Sequence, residues 1–135
     1  MAPTTLLLVD DNPTFLRILK SFLEETYPEE VLVVGTASDG NEALAKATKL
    51  RPDVILLDLA MPGLNGLGAI PHLRCLMPEV GIIALTVLST NSYRDGAISA
   101  GADDFVAKAD LNTDLLPAIR RVARERQREA GERTT

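Results

Sequence analysis

Short apolar runs of this chain stop, one after another, at a polar or charged residue. Leu6-Leu7-Leu8-Val9 closes on Asp10 and Asp11, and Val54-Ile55-Leu56-Leu57 closes on Asp58. Ile82-Ile83-Ala84-Leu85 ends at Thr86, and Phe105-Val106-Ala107 ends at Lys108. Continuous apolar runs of this length fit strands covered on both faces, the pattern of a parallel sheet between helical layers. In an open parallel sheet the carboxyl ends of the strands form the ligand-binding edge. Acids, a hydroxyl and an ammonium gathered along that edge describe a Mg²⁺-dependent site for a phosphoryl group.

Helical patterns fill the intervals between the runs. Asn12-Pro13 offers a cap followed by proline at the first helical position, and Phe15, Leu16, Ile18, Leu19, Phe22 and Leu23 form an apolar helical stripe. A second strand is expected over Val31 to Val34. Ser38-Asp39-Gly40 starts a helix that ends near Arg51-Pro52. The turn-rich segment Met61-Pro62-Gly63-Leu64-Asn65-Gly66 precedes a helix from about Leu67 to Met77, which Pro71 should delay or bend. Strand four covers Val80 to Thr86. A weak helix with Gly96 in its interior covers about Asn91 to Ala100 and stops at Gly101. Strand five runs from Asp104 to Lys108, and the last helix runs from about Thr113 into a charged tail. The expected fold is α/β: a five-stranded parallel sheet of order 2-1-3-4-5, flavodoxin-like and doubly wound (βα)5, with right-handed crossovers. Its switch point between strands one and three is where Asp10, Asp11 and Asp58 lie.

A chain of 135 residues has room for one domain with a real core. The expected division is a domain over 4–124 and a charged tail over 125–135. The net charge of −5 is uneven, because Arg120, Arg121, Arg124, Arg126, Arg128 and Arg133 cluster at the end of an otherwise acidic body. An acidic body is a poor match for nucleic acid, and a solvated helix end explains the arginines. The first residues show no basic stretch ahead of an apolar one, and no run approaches the ~20 apolar residues of a membrane span. The single cysteine, Cys75, cannot form an internal disulfide, which fits a reducing cytoplasm.

Mg²⁺ takes oxygen ligands and keeps several waters. Carboxylates from two strand ends, a backbone carbonyl just after Asp58 and a phosphate oxygen suit it. Without a cation the cluster is costly, since two like charges about 5 Å apart repel by roughly 3 kcal/mol at an effective dielectric near 20. A carboxylate can also act as a nucleophile and form an aspartyl phosphate. Asp58 is the candidate, because it stands alone at the end of the central strand before a loop able to wrap a phosphoryl group. Thr86 can hydrogen-bond a phosphoryl oxygen and Lys108 can neutralise its charge. His72 has no partner ligands nearby in sequence, and Cys75 reads as a small packed or half-exposed residue.

In the order Val9-Asp10-Asp11-Asn12, Leu57-Asp58-Leu59-Ala60-Met61-Pro62-Gly63, Ala84-Leu85-Thr86 and Ser99-Ala100-Gly101-Ala102-Asp103-Asp104-Phe105-Val106-Ala107-Lys108, the chain resembles the receiver domain of two-component response regulators. The likeness spans about residues 4–124. The resemblance implies that Asp58 accepts a phosphoryl group from the phosphohistidine of a sensor histidine kinase or phosphotransfer protein. It implies that Asp11, Asp58 and the Ala60 carbonyl bind Mg²⁺ directly, with Asp10 acting mainly through metal-bound water. Thr86 and Lys108 would contact the phosphoryl group. Thr86 and Phe105 would form a switch that alters the face of helix four, strand five and helix five toward a downstream protein or a DNA-binding output domain. Phe105 has an equal standing as a plain core residue. A phosphorylation-dependent homodimer fits the same picture.

The chain departs from the family pattern at several points. Ala109 replaces the proline that usually follows the lysine, a change found among receivers attached to helix-turn-helix domains. Ala60 and Leu88 are apolar where the family tunes hydrolysis, so self-dephosphorylation should be slow. Phe105 lacks the hydroxyl of the commoner tyrosine. An aspartate-nucleophile phosphatase is the alternative activity, but it usually needs a second acid at the position of Ala60. A flavin carrier would want a Ser/Thr-rich loop where two acids stand. Beyond residue 119 there is only an arginine-rich stretch, so the chain is expected either to act alone on a partner or to belong with an output domain.

Overall fold

The computed structural model describes residues 2–59, 66–87 and 91–134, with side chains through residue 128. Strands and helices alternate along the chain: β1 (Thr4–Val9), α1 (Pro13–Thr26), β2 (Val31–Ala37), α2 (Gly40–Leu50), β3 (Val54–Asp58), α3 (Gly66–Leu76), β4 (Gly81–Thr86), α4 (Asn91–Ala100), β5 (Asp104–Ala107) and α5 (Leu111–Thr134). All pairings are parallel, and the sheet order is β2-β1-β3-β4-β5. This is the expected flavodoxin-like arrangement.

Alternating side chains of the strands feed two cores. Leu6, Leu8, Val54, Leu56, Ile83 and Leu85 face Leu16, Leu19 and Leu23 of α1 and Leu115, Ile119 and Val122 of α5. Leu7, Val9, Ile55, Leu57, Ile82 and Ala84 face α2, α3 and α4 through Ala43, Ala47, Ala69, Ile70, Leu73 and Ala97. Each fully buried Leu or Ile contributes about 1.5–3 kcal/mol. The cover is uneven, because α4 buries Ala97 alone.

Local chemistry sets the helix starts. The Asn12 side chain accepts from the N–H groups of Thr14 (3.0 Å) and Phe15 (3.2 Å), with Pro13 opening α1. Asp39 accepts from Glu42 N–H (2.8 Å), and Glu42 in turn accepts from Ser38 N–H (2.9 Å).

Several boundaries differ from the sequence expectation. β2 runs to Ala37, beyond Val34, because a register shift opposite Leu6/Leu7 skips Val34 and lets Gly35, Thr36 and Ala37 pair with the end of β1. α3 begins at Gly66, ahead of Pro71, so proline does not delay it. α5 begins at Leu111 and continues to Thr134, so the charged stretch is helical. β5 stops at Ala107, the register partner of Thr86, and Lys108 opens a 3-10 turn, Lys108–Asp110. The Met61-Pro62-Gly63 turn, the Ala60 carbonyl and Leu88 lie outside the described residues.

Candidate functional site

Among the described residues the buried polar or charged side chains are Asp10 (2% exposed), Asp58 (5%) and Thr86 (2%). All sit at the carboxyl ends of β1, β3 and β4. Strand pairing puts them there: Val9 pairs with Leu57, and Asp58 pairs with Leu85, so the next residues of β1 and β4 flank the end of β3. A buried carboxylate is costly unless paired, so this grouping needs a cation.

One is supplied by the chain. Lys108 Nζ donates to Asp10 Oδ2 at 2.7 Å and lies 3.8 Å from Asp58 Oδ1. The other Asp10 oxygen accepts from Asn12 N–H at 2.9 Å. Asp11, on the adjacent turn, is exposed. One carboxylate oxygen from each of Asp10, Asp11 and Asp58 falls within 4.8 Å of the others. Lys108 offsets one of these three charges, and the remainder matches a single divalent cation. The donors are all carboxylate oxygens, with one member open to solvent. That set suits a hard, hydrated ion such as Mg²⁺ better than a thiophilic or imidazole-seeking metal.

Distances thus bring together Asp10, Asp11, Asp58 and Lys108, and register brings Thr86 to the same edge. Phe105 is half-buried, packed beside the α2–α4 core, next to Ala84 in register. His72 and Cys75 lie exposed on α3, and Cys75 is thus more open than its sequence context suggested. Two features escaped the sequence reading. The Phe15 ring, assigned to the apolar stripe of α1, lies under Lys108 Nζ at 4.3 Å from the ring centroid. Gly66, assigned to a turn, packs so tightly on the backbone after β3 that an added Cβ would lie 1.8 Å from the Asp58 carbonyl oxygen.

The family model for the response regulator receiver domain matches residues 6–120. The chain belongs to the response regulator receiver domain family. This receiver domain is 44% identical over 104 residues to a protein-glutamate methylesterase/protein-glutamine glutaminase of Caldanaerobacter subterraneus subsp. tengcongensis, covering 76% of this chain and 28% of that protein. It is 36% identical over 121 residues to the nitrate/nitrite response regulator protein NarL of Escherichia coli, covering 90% of this chain and 55% of that protein. It therefore spans about a quarter to about half the length of these curated relatives. Among solved structures it resembles a two-component response regulator of the LuxR family from Aurantimonas sp. SI85-9A1, with a TM-score of 0.86, 28% identity and coverage of 98% of this chain and 99% of that one. Among the described residues no helix of this receiver domain is long and apolar enough to cross a membrane.

Proposed function

We propose that this receiver domain is a phosphoacceptor switch in which Asp58 takes a phosphoryl group from the phosphohistidine of a sensor histidine kinase or phosphotransfer protein. The observation that carries this reading is the convergence of Asp10, Asp11, Asp58 and Lys108 at one sheet edge, with the buried Asp58 on the central strand. An Asp58 carboxylate oxygen attacks phosphorus as the P–N bond breaks. The imidazole leaves with the bond's electron pair, and the product is a mixed anhydride on Asp58. Phosphoryl transfer of this kind needs positioning and charge neutralisation.

Asp11, Asp58 and the Ala60 carbonyl would hold Mg²⁺, with Asp10 acting through water, and the ion would neutralise charge on the phosphoryl oxygens. Lys108 would hold a second phosphoryl oxygen by its ammonium. The Thr86 hydroxyl would donate to a third, and its movement together with Phe105 would pass the change to α4, β5 and α5. The working unit is residues 4–124, and 125–135 form a charged extension. The protein acts in the cytoplasm, alone on a partner protein or beside an output domain of the DNA-binding kind, and a homodimer of the phosphorylated form is compatible. The apolar side chains of Ala60 and Leu88 offer nothing to orient attacking water, so the phosphoaspartate should outlast minutes, and turnover of phosphate monoesters is not expected.

Acetyl phosphate with Mg²⁺ tests the proposal, with acetate as the leaving group. One phosphoryl adduct by mass on the wild type, and none on Asp58→Asn, is the expected result. An unmodified wild type, or an adduct that survives Asp58→Asn, would refute it.

A further inference from the structure

A closed circuit of contacts runs through the site and includes a residue to which the phosphotransfer reading gives no role. Asp10 Oδ1 accepts from Asn12 N–H at 2.9 Å. The Asn12 side chain accepts from Phe15 N–H at 3.2 Å, which fixes the first turn of α1. The Phe15 ring lies under Lys108 Nζ at 4.3 Å from its centroid, and Lys108 returns to Asp10 Oδ2 at 2.7 Å. The ring is half-buried against the α1/α5 core, so its position is set by packing. The Lys108 side chain is 17% exposed, so the contact is largely withdrawn from water.

A lysine stem is flexible, and its ammonium is a compact point charge. Asp10 alone could draw that charge away from Asp58. An aromatic face within about 6 Å attracts a cation, and more strongly when the pair is desolvated. We propose that Phe15 is a positioning residue for Lys108: its ring face confines the ammonium between Asp10 and Asp58, where an incoming phosphoryl oxygen needs it. This rests on the phosphoacceptor reading of Asp58. Leucine at position 15 would fill the core as well, but it offers no negative face to a cation.

The test compares Phe15→Leu, Phe15→Tyr and ring-fluorinated phenylalanine at position 15, in full-length protein with acetyl phosphate and Mg²⁺. Phe15→Leu should slow phosphorylation roughly three- to tenfold, the range expected for losing one partly desolvated cation–π contact. Phe15→Tyr should rescue most of that loss, and added fluorines should slow the reaction stepwise. In a Lys108→Ala background, Phe15→Leu should cause no further loss. Independently of activity, the Cε protons of Lys108 should show an upfield ring-current shift by NMR that Phe15→Leu abolishes. If the wild type is phosphorylated but Phe15→Leu keeps its rate, or loses as much in the Lys108→Ala background, or leaves the Lys108 resonances in place, the positioning role falls and the phosphoacceptor reading stands. If the wild type takes no phosphoryl group, both fall together.

Discussion

Asp11→Asn isolates the electrostatic cost of the acidic cluster. Among the described residues no donor serves the Asp11 carboxylate, and the residue is exposed, so the substitution removes a charge with little else. Each like-charge pair at up to 4.8 Å repels by about 1–3.5 kcal/mol as the effective dielectric falls from 80 to 20. Asp11 faces two such partners, and the nearby ammonium of Lys108 offsets part of the sum. A net gain of about 1–3 kcal/mol in the metal-free protein is expected. At ~2.1 cal/mol/K per residue, that raises the thermal midpoint of a chain of this size by roughly 4–10 °C. Mg²⁺ should narrow the difference. At tenfold over its Kd an ion that binds only the folded form adds ~1.4 kcal/mol, about 5 °C, to the wild type and little to Asp11→Asn. Melts by circular dichroism in EDTA and in Mg²⁺ give all the needed midpoints. High NaCl should shrink the EDTA difference, since screening reaches ~3 Å at 1 M. A lower midpoint for Asp11→Asn in EDTA would refute the crowding argument, and an equal Mg²⁺ response in both proteins would remove Asp11 from the ligand set.

Gly66→Ala should destabilise by about 2–3 kcal/mol or more in urea titrations, because its Cβ would collide with the Asp58 carbonyl at 1.8 Å; a neutral effect would mean that α3 can retreat at no cost. Asp103 accepts from Ile82 N–H (2.8 Å), Arg74 (3.0 Å) and Arg126, tying β4, α3 and α5 together. Asp103→Ala should therefore cost about 2–3 kcal/mol, with part regained in Asp103→Asn. The Arg120 guanidinium hydrogen-bonded to Glu30 holds that carboxyl below the ordinary glutamate range. A lowered folded value means the contribution is present above about pH 4.3 and fades as pH falls through the native value. Carbon-detected NMR titration of Glu30 should show the low midpoint and Arg120→Ala should restore the ordinary one. Amides of α4 should exchange fastest of the described helices in native-state hydrogen exchange, since Ala97 alone is buried there; protection equal to that of α1 would overturn that ordering.

The fold was legible because burial on both faces makes parallel strands read as unbroken apolar runs, and those runs end where solvent begins. Asp10, Asp58 and Thr86 stood out for the same reason: each is the first polar residue after such a run. The end of β2 was not legible, since Gly35-Thr36-Ala37 carries no apolar signal and pairs only through the bulge at Val34. Phe15 was read as core because it shares the spacing of Leu16, Leu19 and Phe22. A ring facing Lys108 and a ring facing leucines have the same sequence pattern, and only the 98-residue-distant pairing of Lys108 with Asp10 tells them apart. Gly66 was hidden for a related reason. A glycine after Pro62, Gly63 and Asn65 reads as one more turn residue, whereas its use is a close approach of helix to strand backbone.

The same unevenness of packing decides where a charge change at this edge can be felt. Asp10 leads into α1, whose first turn is pinned by Asn12 and whose inner face buries Leu16, Leu19 and Leu23. That helix holds several kcal/mol of apolar burial, more than the about 1 kcal/mol by which a charge acts on a helix end. Asp58 leads toward α3, which is clamped on the strand backbone at Gly66 and held at its far end by Arg74 on the Gly101 and Val80 carbonyls. Thr86 leads toward α4, where one alanine methyl is the buried apolar contribution and Gly96 weakens the interior. A shift of about 1 kcal/mol at the sheet edge is small against the first two helices and weighs more against the third, where Ala97 is buried and Ala100 only partly so. If Asp58 is the phosphoacceptor proposed above, the change should therefore be felt at α4 and the β5 surface beside it, because that is where the native packing is shallow enough to yield; equal amide exchange of α4 with and without acetyl phosphate would refute this.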